Sequence, residues 1–152
     1  MADIVLTEEE AERLSAMPKR TEGKLMWQFY ADAGVYEFEL SVECAEQLPL
    51  TFWGQHNPRT GYYKFVLAFA KSHVRRLDVG KGHHNPACDR IGWPHKHKWT
   101  DREKGHWAYE PPEMSANDSP AELYAKFVAE CNIAPASQFV YPPQSEQREL
   151  GI

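Results

Sequence analysis

Two short runs carry most of the reactive side chains in this sequence. They are Arg75-Arg76-Leu77-Asp78-Val79-Gly80-Lys81-Gly82-His83-His84-Asn85-Pro86 and Pro94-His95-Lys96-His97. Between Lys71 and His106 lie nine Lys or Arg against four acids, and six of the seven histidines (His73, His83, His84, His95, His97, His106). Such a mixture suits proton transfer on a phosphodiester. Cleaving RNA through its own 2′-hydroxyl needs a base, an acid and cations on the developing phosphorane, and histidines near neutral pKa serve the first two roles. On this reading His84, His95 and His97 are the catalytic imidazoles and Arg76 is the phosphate-binding cation. Arg75, Lys81 and Lys96 add charge for substrate binding, Trp107 offers a stacking surface for a base, and no cofactor is required. Gly80 and Gly82 let a phosphate approach the backbone closely.

Two other chemistries fit the same residues. On a strand, His95 and His97 share a face, as paired imidazole ligands require. With His83 or His84, and with Cys88, Asp101 or His106 as further candidates, they make three or four ligands for zinc or another divalent transition metal. The spacing is unspecific, because no Glu follows the His-x-His pair at the cupin interval and Glu103 comes too late. The plainer alternative is packing: histidines beside tryptophans in a Pro-bounded strand, with Arg75 and Arg76 paired to Asp78. Cys88, isolated in a loop, is a poor nucleophile candidate.

The elements that must hold these side chains are readable from periodicity and caps. A helix starts after Thr7, with Glu10 completing a capping box and Pro18 ending it. Lys24–Tyr30 alternates apolar and polar. Tyr36–Cys44 does so strictly, which makes a strand with one acidic face carrying Glu37, Glu39 and Glu43. Further strands are expected at Leu50–Trp53, Tyr62–Ala70 (apolar on both faces, hence central), His73–Val79, His95–Trp99 and His106–Tyr109. Turns fall at 57–61 and 101–105, and 80–94 reads as an irregular loop. A last helix begins at Ser119 with Pro120 first and Glu122 as capping partner, and its stripe of Leu123, Tyr124, Phe127, Val128 and Cys131 faces the core. The fold class is therefore α+β, a largely antiparallel sheet of five to seven strands with an N-terminal and a C-terminal helix packed on it. Residues 1–134 form the single domain, and 135–152 read as a loosely held tail.

The ordered runs RRLDVGKGHHNP, IGWPHKH, HWAYEPPE and FVAECNI resemble a family of small bacterial and phage domains. Its signature is R-L-D, a Gly-rich H-x-N-P turn, P-H-x-H, a W-A pair and a closing C-N-I. The likeness covers roughly residues 60 to 133 and maps onto Arg76, Asp78, His84, Asn85, Pro86, Pro94, His95, His97, Trp107, Ala108 and Cys131. Ala87-Cys88 stands where Asp-Gly usually follows the N-P. The resemblance implies a setting in phages or mobile elements, and so a toxin, defence or counter-defence role.

Composition bounds the rest. A chain of 152 residues with 42% apolar and 26% charged residues can bury a core without disulfides. Three scattered cysteines (Cys44, Cys88, Cys131) suit a reducing, cytoplasmic setting, and no apolar run reaches membrane-spanning length. The expected function is a toxin-like ribonuclease acting on RNA or another phosphate-rich substrate. The expected alternative is a non-catalytic, anti-CRISPR-like inhibitor, its acidic strand face mimicking nucleic acid to occupy a host nucleic-acid-binding complex. A metal-dependent module is the third.

Overall fold

The computed structural model describes residues 6–79, 83–84, 90–91, 95–100, 104–109, 113–114 and 118–143; for 83–84, 90–91, 95 and 104–109 the description is of the backbone. The first helix, α1 (Glu8–Ala16), is capped by Thr7, whose hydroxyl accepts from the Glu10 amide at 3.1 Å, and three glutamates occupy its positive end. Its last carbonyls find an unusual partner. The buried Lys19 ammonium donates to the carbonyls of Leu14, Ser15 and Met17, so a side chain satisfies acceptors that a helix end leaves open. Burial pulls the Lys19 pKa down to about 8.

Strands follow: β1 (Lys19–Thr21), β2 (Gln28–Tyr30), β3 (Val35–Cys44), β4 (Leu50–Asn57), β5 (Tyr62–Phe69) and β6 (Ser72–Val79). A ribbon of β7 (His83–His84) and β8 (Arg90–Ile91) precedes β9 (His95–Thr100) and β10 (Lys104–Tyr109). The main sheet has the order β1-β3-β4-β5-β6-β9-β10, and β2 pairs with the same strand β3 as β1 does. Eight strands thus fill seven positions, and every pairing between them is antiparallel. The second helix, α2 (Pro120–Glu130), has Ser119 as N-cap, accepting from the Glu122 amide at 3.2 Å, and Pro120 at its start.

One face of the sheet meets both helices. Phe52 of β4 touches the rings of Tyr124 and Phe127 of α2, while Leu6, Ala11 and Leu14 close the α1 side of the same buried cluster. The alternation read from β3 is the cause, since Phe38, Leu40 and Val42 point inward and Glu39, Ser41 and Glu43 outward. The outer face is wet over β3 but dry over the second half of β5, where Val66 and Ala68 are buried.

Four expectations change. The segment 80–94, expected to be an irregular loop, carries the paired two-residue strands β7 and β8, too short to show a period. The strand expected at Lys24–Tyr30 is confined to Gln28–Tyr30, and β1 at Lys19–Thr21 was not foreseen, because neither three-residue strand is long enough to show a period. The strand expected at Leu50–Trp53 runs on to Asn57, its alternation carried by Gly54 and His56 in place of larger apolar residues. The segment after Ala134, expected to be loosely held, is tied down as far as Pro143. Phe139 packs on Tyr63, Phe65 and Tyr124, Trp27 Nε1 donates to the Val140 carbonyl, and Pro142 is buried.

Candidate functional site

Strand register assembles the site. In β6, Arg76 and Asp78 are two residues apart and so share the outer face, while Arg75, Leu77 and Val79 turn to the helices. The antiparallel pairing with β9 sets His97 opposite Arg76 and His95 opposite Asp78. The pairing with β5 sets Val66 opposite Arg76 and Lys64 opposite Asp78, with Tyr62 at the start of that strand.

Four of these side chains form one hydrogen-bonded cluster around the Asp78 carboxylate. Tyr62 donates its hydroxyl to Oδ1 at 2.9 Å. Arg76 Nε and Nη2 reach Oδ2 at 3.2 and 3.0 Å. His97 Nε2 lies 2.9 Å from Oδ2 and 2.6 Å from Arg76 Nη2. The side chains of Asp78 and His97 are 4% and 1% exposed, whereas that of Arg76 is 17% exposed and is the one of the three that meets solvent. Burial together with the Asp78 carboxylate pushes the Tyr62 phenol pKa well up, which keeps it a protonated donor.

The contacts among Arg76, Asp78 and His97 form a triangle with a chemical consequence. A guanidinium only donates and an ionised carboxylate only accepts. His97 Nε2 therefore either accepts from Arg76 or, carrying a proton, donates to Asp78, and it cannot do both with a single proton. Removing the guanidinium from this triangle favours the imidazole that donates to Asp78. Burial strengthens each of these interactions relative to water and makes a missing partner costly.

The remaining expected site residues fall elsewhere. Arg75, expected to bind substrate, stands on the helix face with its side chain 7% exposed, and Nη2 lies 2.9 Å from Glu12 Oε2 of α1. Lys96, also expected to bind substrate, is opposite Leu77 and buried on that same face. It pairs with Glu113 and, at 2.7 Å, with Glu130. The physical reason is strand parity: neighbouring residues take opposite faces, so Arg75 and Arg76, or Lys96 and His97, cannot serve one site. His95 and Trp107 are placed by backbone register, opposite Asp78 and Lys98, and His83 and His84 opposite Ile91 and Arg90; their side chains lie outside the described residues, as do Lys81 and Cys88 altogether. Of the four expected catalytic residues, the described side chains thus bring together His97 and Arg76.

Among the described residues no group of three His, Cys, Asp or Glu side chains is placed to hold a metal ion. Of the proposed ligand set only the His97 side chain falls among them. Cys131 is fully buried in the core, and that burial pushes its thiol up to about 12. Tyr62 was missed in the sequence. Its signal was the β5–β6 hairpin, whose turn after Phe69 folds residue 62 back beside residues 78 and 79.

Residues 6–133 match the model of DUF6978, a family of unknown function. No curated protein and no solved structure matches the chain.

Proposed function

The chain belongs to DUF6978, a family of unknown function, and from the geometry above we propose that it acts on RNA or another phosphate-bearing substrate at the outer face of β6 and β9. The observation that carries this reading is the junction of imidazole, carboxylate, guanidinium and phenol around Asp78. These are the groups that phosphodiester cleavage requires, an oriented proton-transfer residue beside a cation for the phosphate. Arg76 meets the substrate first, being the solvent-reached member of the triangle. A phosphate oxygen competes with Asp78 for the guanidinium, and its success shifts His97 Nε2 from accepting from Arg76 to donating to Asp78, which sets the protonation of that imidazole as substrate binds. A second histidine, His95 or His84, completes the acid/base pair. The source in a phage or mobile element, and the toxin role that goes with it, belong to the same proposal.

The test is cleavage of a single-stranded RNA oligonucleotide by the purified protein and two variants. Losing an acid/base group costs about 10²- to 10⁴-fold, so His97→Ala is expected to lose at least about 100-fold. Because His97 is buried, its replacement threatens the fold, so Arg76→Ala, the more exposed change, is measured alongside, with circular dichroism confirming the fold of each. Absence of cleavage by the unaltered protein, or full cleavage by a folded Arg76→Ala, overturns the reading.

A further inference from the structure

The other half of the outer face has a different character. Between β2 and β4 lies a groove of about 450 Å³ lined by Met26, Gln28, Tyr30, Glu37, Glu39 and Trp53, within the size range of natural ligand sites. Met26 is 76% exposed and Tyr30 44%. The register explains the grouping, because Gln28 stands opposite Glu37 on β3, and Glu39 opposite Trp53 on β4. The groove is therefore mixed: Met26, Tyr30 and Trp53 offer apolar and aromatic surface, Gln28 an amide, and β3 two carboxylates.

We propose that this groove is a docking surface for a basic, extended segment of a partner protein. Three observations on different residues converge on that occupant. First, Trp53 already attracts a cation: the Lys64 ammonium stands 5.7 Å from its ring centroid, within the range of cation–π attraction. Second, Glu37 and Glu39 repel a phosphate backbone and complement a guanidinium or ammonium. Met26 and Tyr30 suit the hydrocarbon stem that carries such a group. Third, among the described residues β2 is an edge strand, and its three residues are all exposed. Its outer edge offers backbone donors and acceptors to an added strand, and alternate side chains of that strand then enter the groove. The surface lies across β5 from Arg76 and is independent of the chemistry proposed there, so either proposal can fail alone.

The test follows the Trp53 indole N–H by nuclear magnetic resonance, assigned by its disappearance in Trp53→Phe. The probe is an end-capped peptide alternating Arg and Gly, compared with its Glu-Gly counterpart and with an oligouridylate. The Arg peptide is expected to shift that signal saturably, with a dissociation constant between about 10 µM and about 1 mM. The double variant Glu37→Gln, Glu39→Gln is expected to weaken binding at least about tenfold, in the direction set by losing charge complementarity. A signal that the Arg peptide does not move overturns the proposal. So does one moved by oligouridylate in its place, or one that moves on concentrating the protein alone, which would make a second copy the occupant.

Discussion

At the scale of single residues, the partition of charge between the two faces of β6 and β9 decides which side chains are available for chemistry. Arg75 and Lys96 are neutralised by Glu12, Glu113 and Glu130 on the helix side. Arg76 and His97 share Asp78 on the other. Residue types named Arg76 and His97 as candidates, with Asp78 only as an ion-pair partner, and telling them from Arg75 and Lys96 needed the register between strands that only the fold supplies. His56 shows the same limit. It reads as the outlying histidine, and it lies fully buried against the Tyr63 ring at 4.0 Å, where burial lowers its pKa to about 4. An imidazole that folding holds neutral contributes its stability in full above its unfolded pKa near 6.5. That contribution is lost as pH falls from there toward 4, because the unfolded chain binds the extra proton. The shift corresponds to roughly 3 kcal/mol. Urea midpoints measured from pH 7.5 to 4.5 are expected to fall more steeply for the unaltered protein than for His56→Leu, and parallel curves would refute this.

At the scale of elements, long alternating strands and capped helices were legible because their signals are local. The period of Tyr36–Cys44, the Thr7 and Ser119 caps and the two-sided apolar run at Tyr62–Phe69 each act within a few residues. The short edge strands were not legible. β1 forms because Lys19–Thr21 fits beside Val42–Cys44 while the Lys19 amide donates to the Asn132 carbonyl and the Thr21 amide to that of Pro135, partners more than 100 residues away. Gly54 marks a further constraint that periodicity hides. It occupies an inward position of β4, and the Phe38 ring of the neighbouring strand lies across it. A Cβ placed there would come within 2.8 Å of Phe38 Cζ and closer still to Cε2. Phe38 is itself packed edge-on against Trp27 at 5.0 Å and has little room to yield. Gly54→Ala is therefore expected to destabilise by about 1–3 kcal/mol, the usual cost of overpacking, read as a lower denaturant midpoint with an unchanged slope. A midpoint equal to that of the unaltered protein would show that Phe38 moves aside freely.

At the scale of the whole molecule, the segment from Pro135 to Pro143 ties separate elements together. It links α2, β1 and the approach to β2. Ser137 donates its amide to Thr21 Oγ1 at 2.9 Å and its hydroxyl to the Gly23 carbonyl at 2.6 Å, and Tyr124 donates to the Ser137 carbonyl at 2.6 Å. Trp27 donates to the Val140 carbonyl at 2.6 Å, which fixes the chain entering β2 and so the wall of the groove beside Met26. Composition pointed to a loose tail because Pro142-Pro143 and the charged residues beyond them outweigh one phenylalanine. That phenylalanine nevertheless meets three core rings at 5.3 to 6.2 Å. Truncating a fully buried Phe costs about 3–5 kcal/mol, and Phe139 is only partly buried, so Phe139→Ala is expected to cost about 2 kcal/mol. A chain ended after Ala134 is expected to lose more, since the Tyr124 hydroxyl and the Trp27 indole then lose their acceptors as well. Amide hydrogen exchange separates this from a merely local effect. Anchoring by the segment requires faster exchange at Tyr30 and Gly34 as well as at Thr21 in Phe139→Ala. Unchanged exchange at β2 would mean that the segment packs on the sheet without holding its edge.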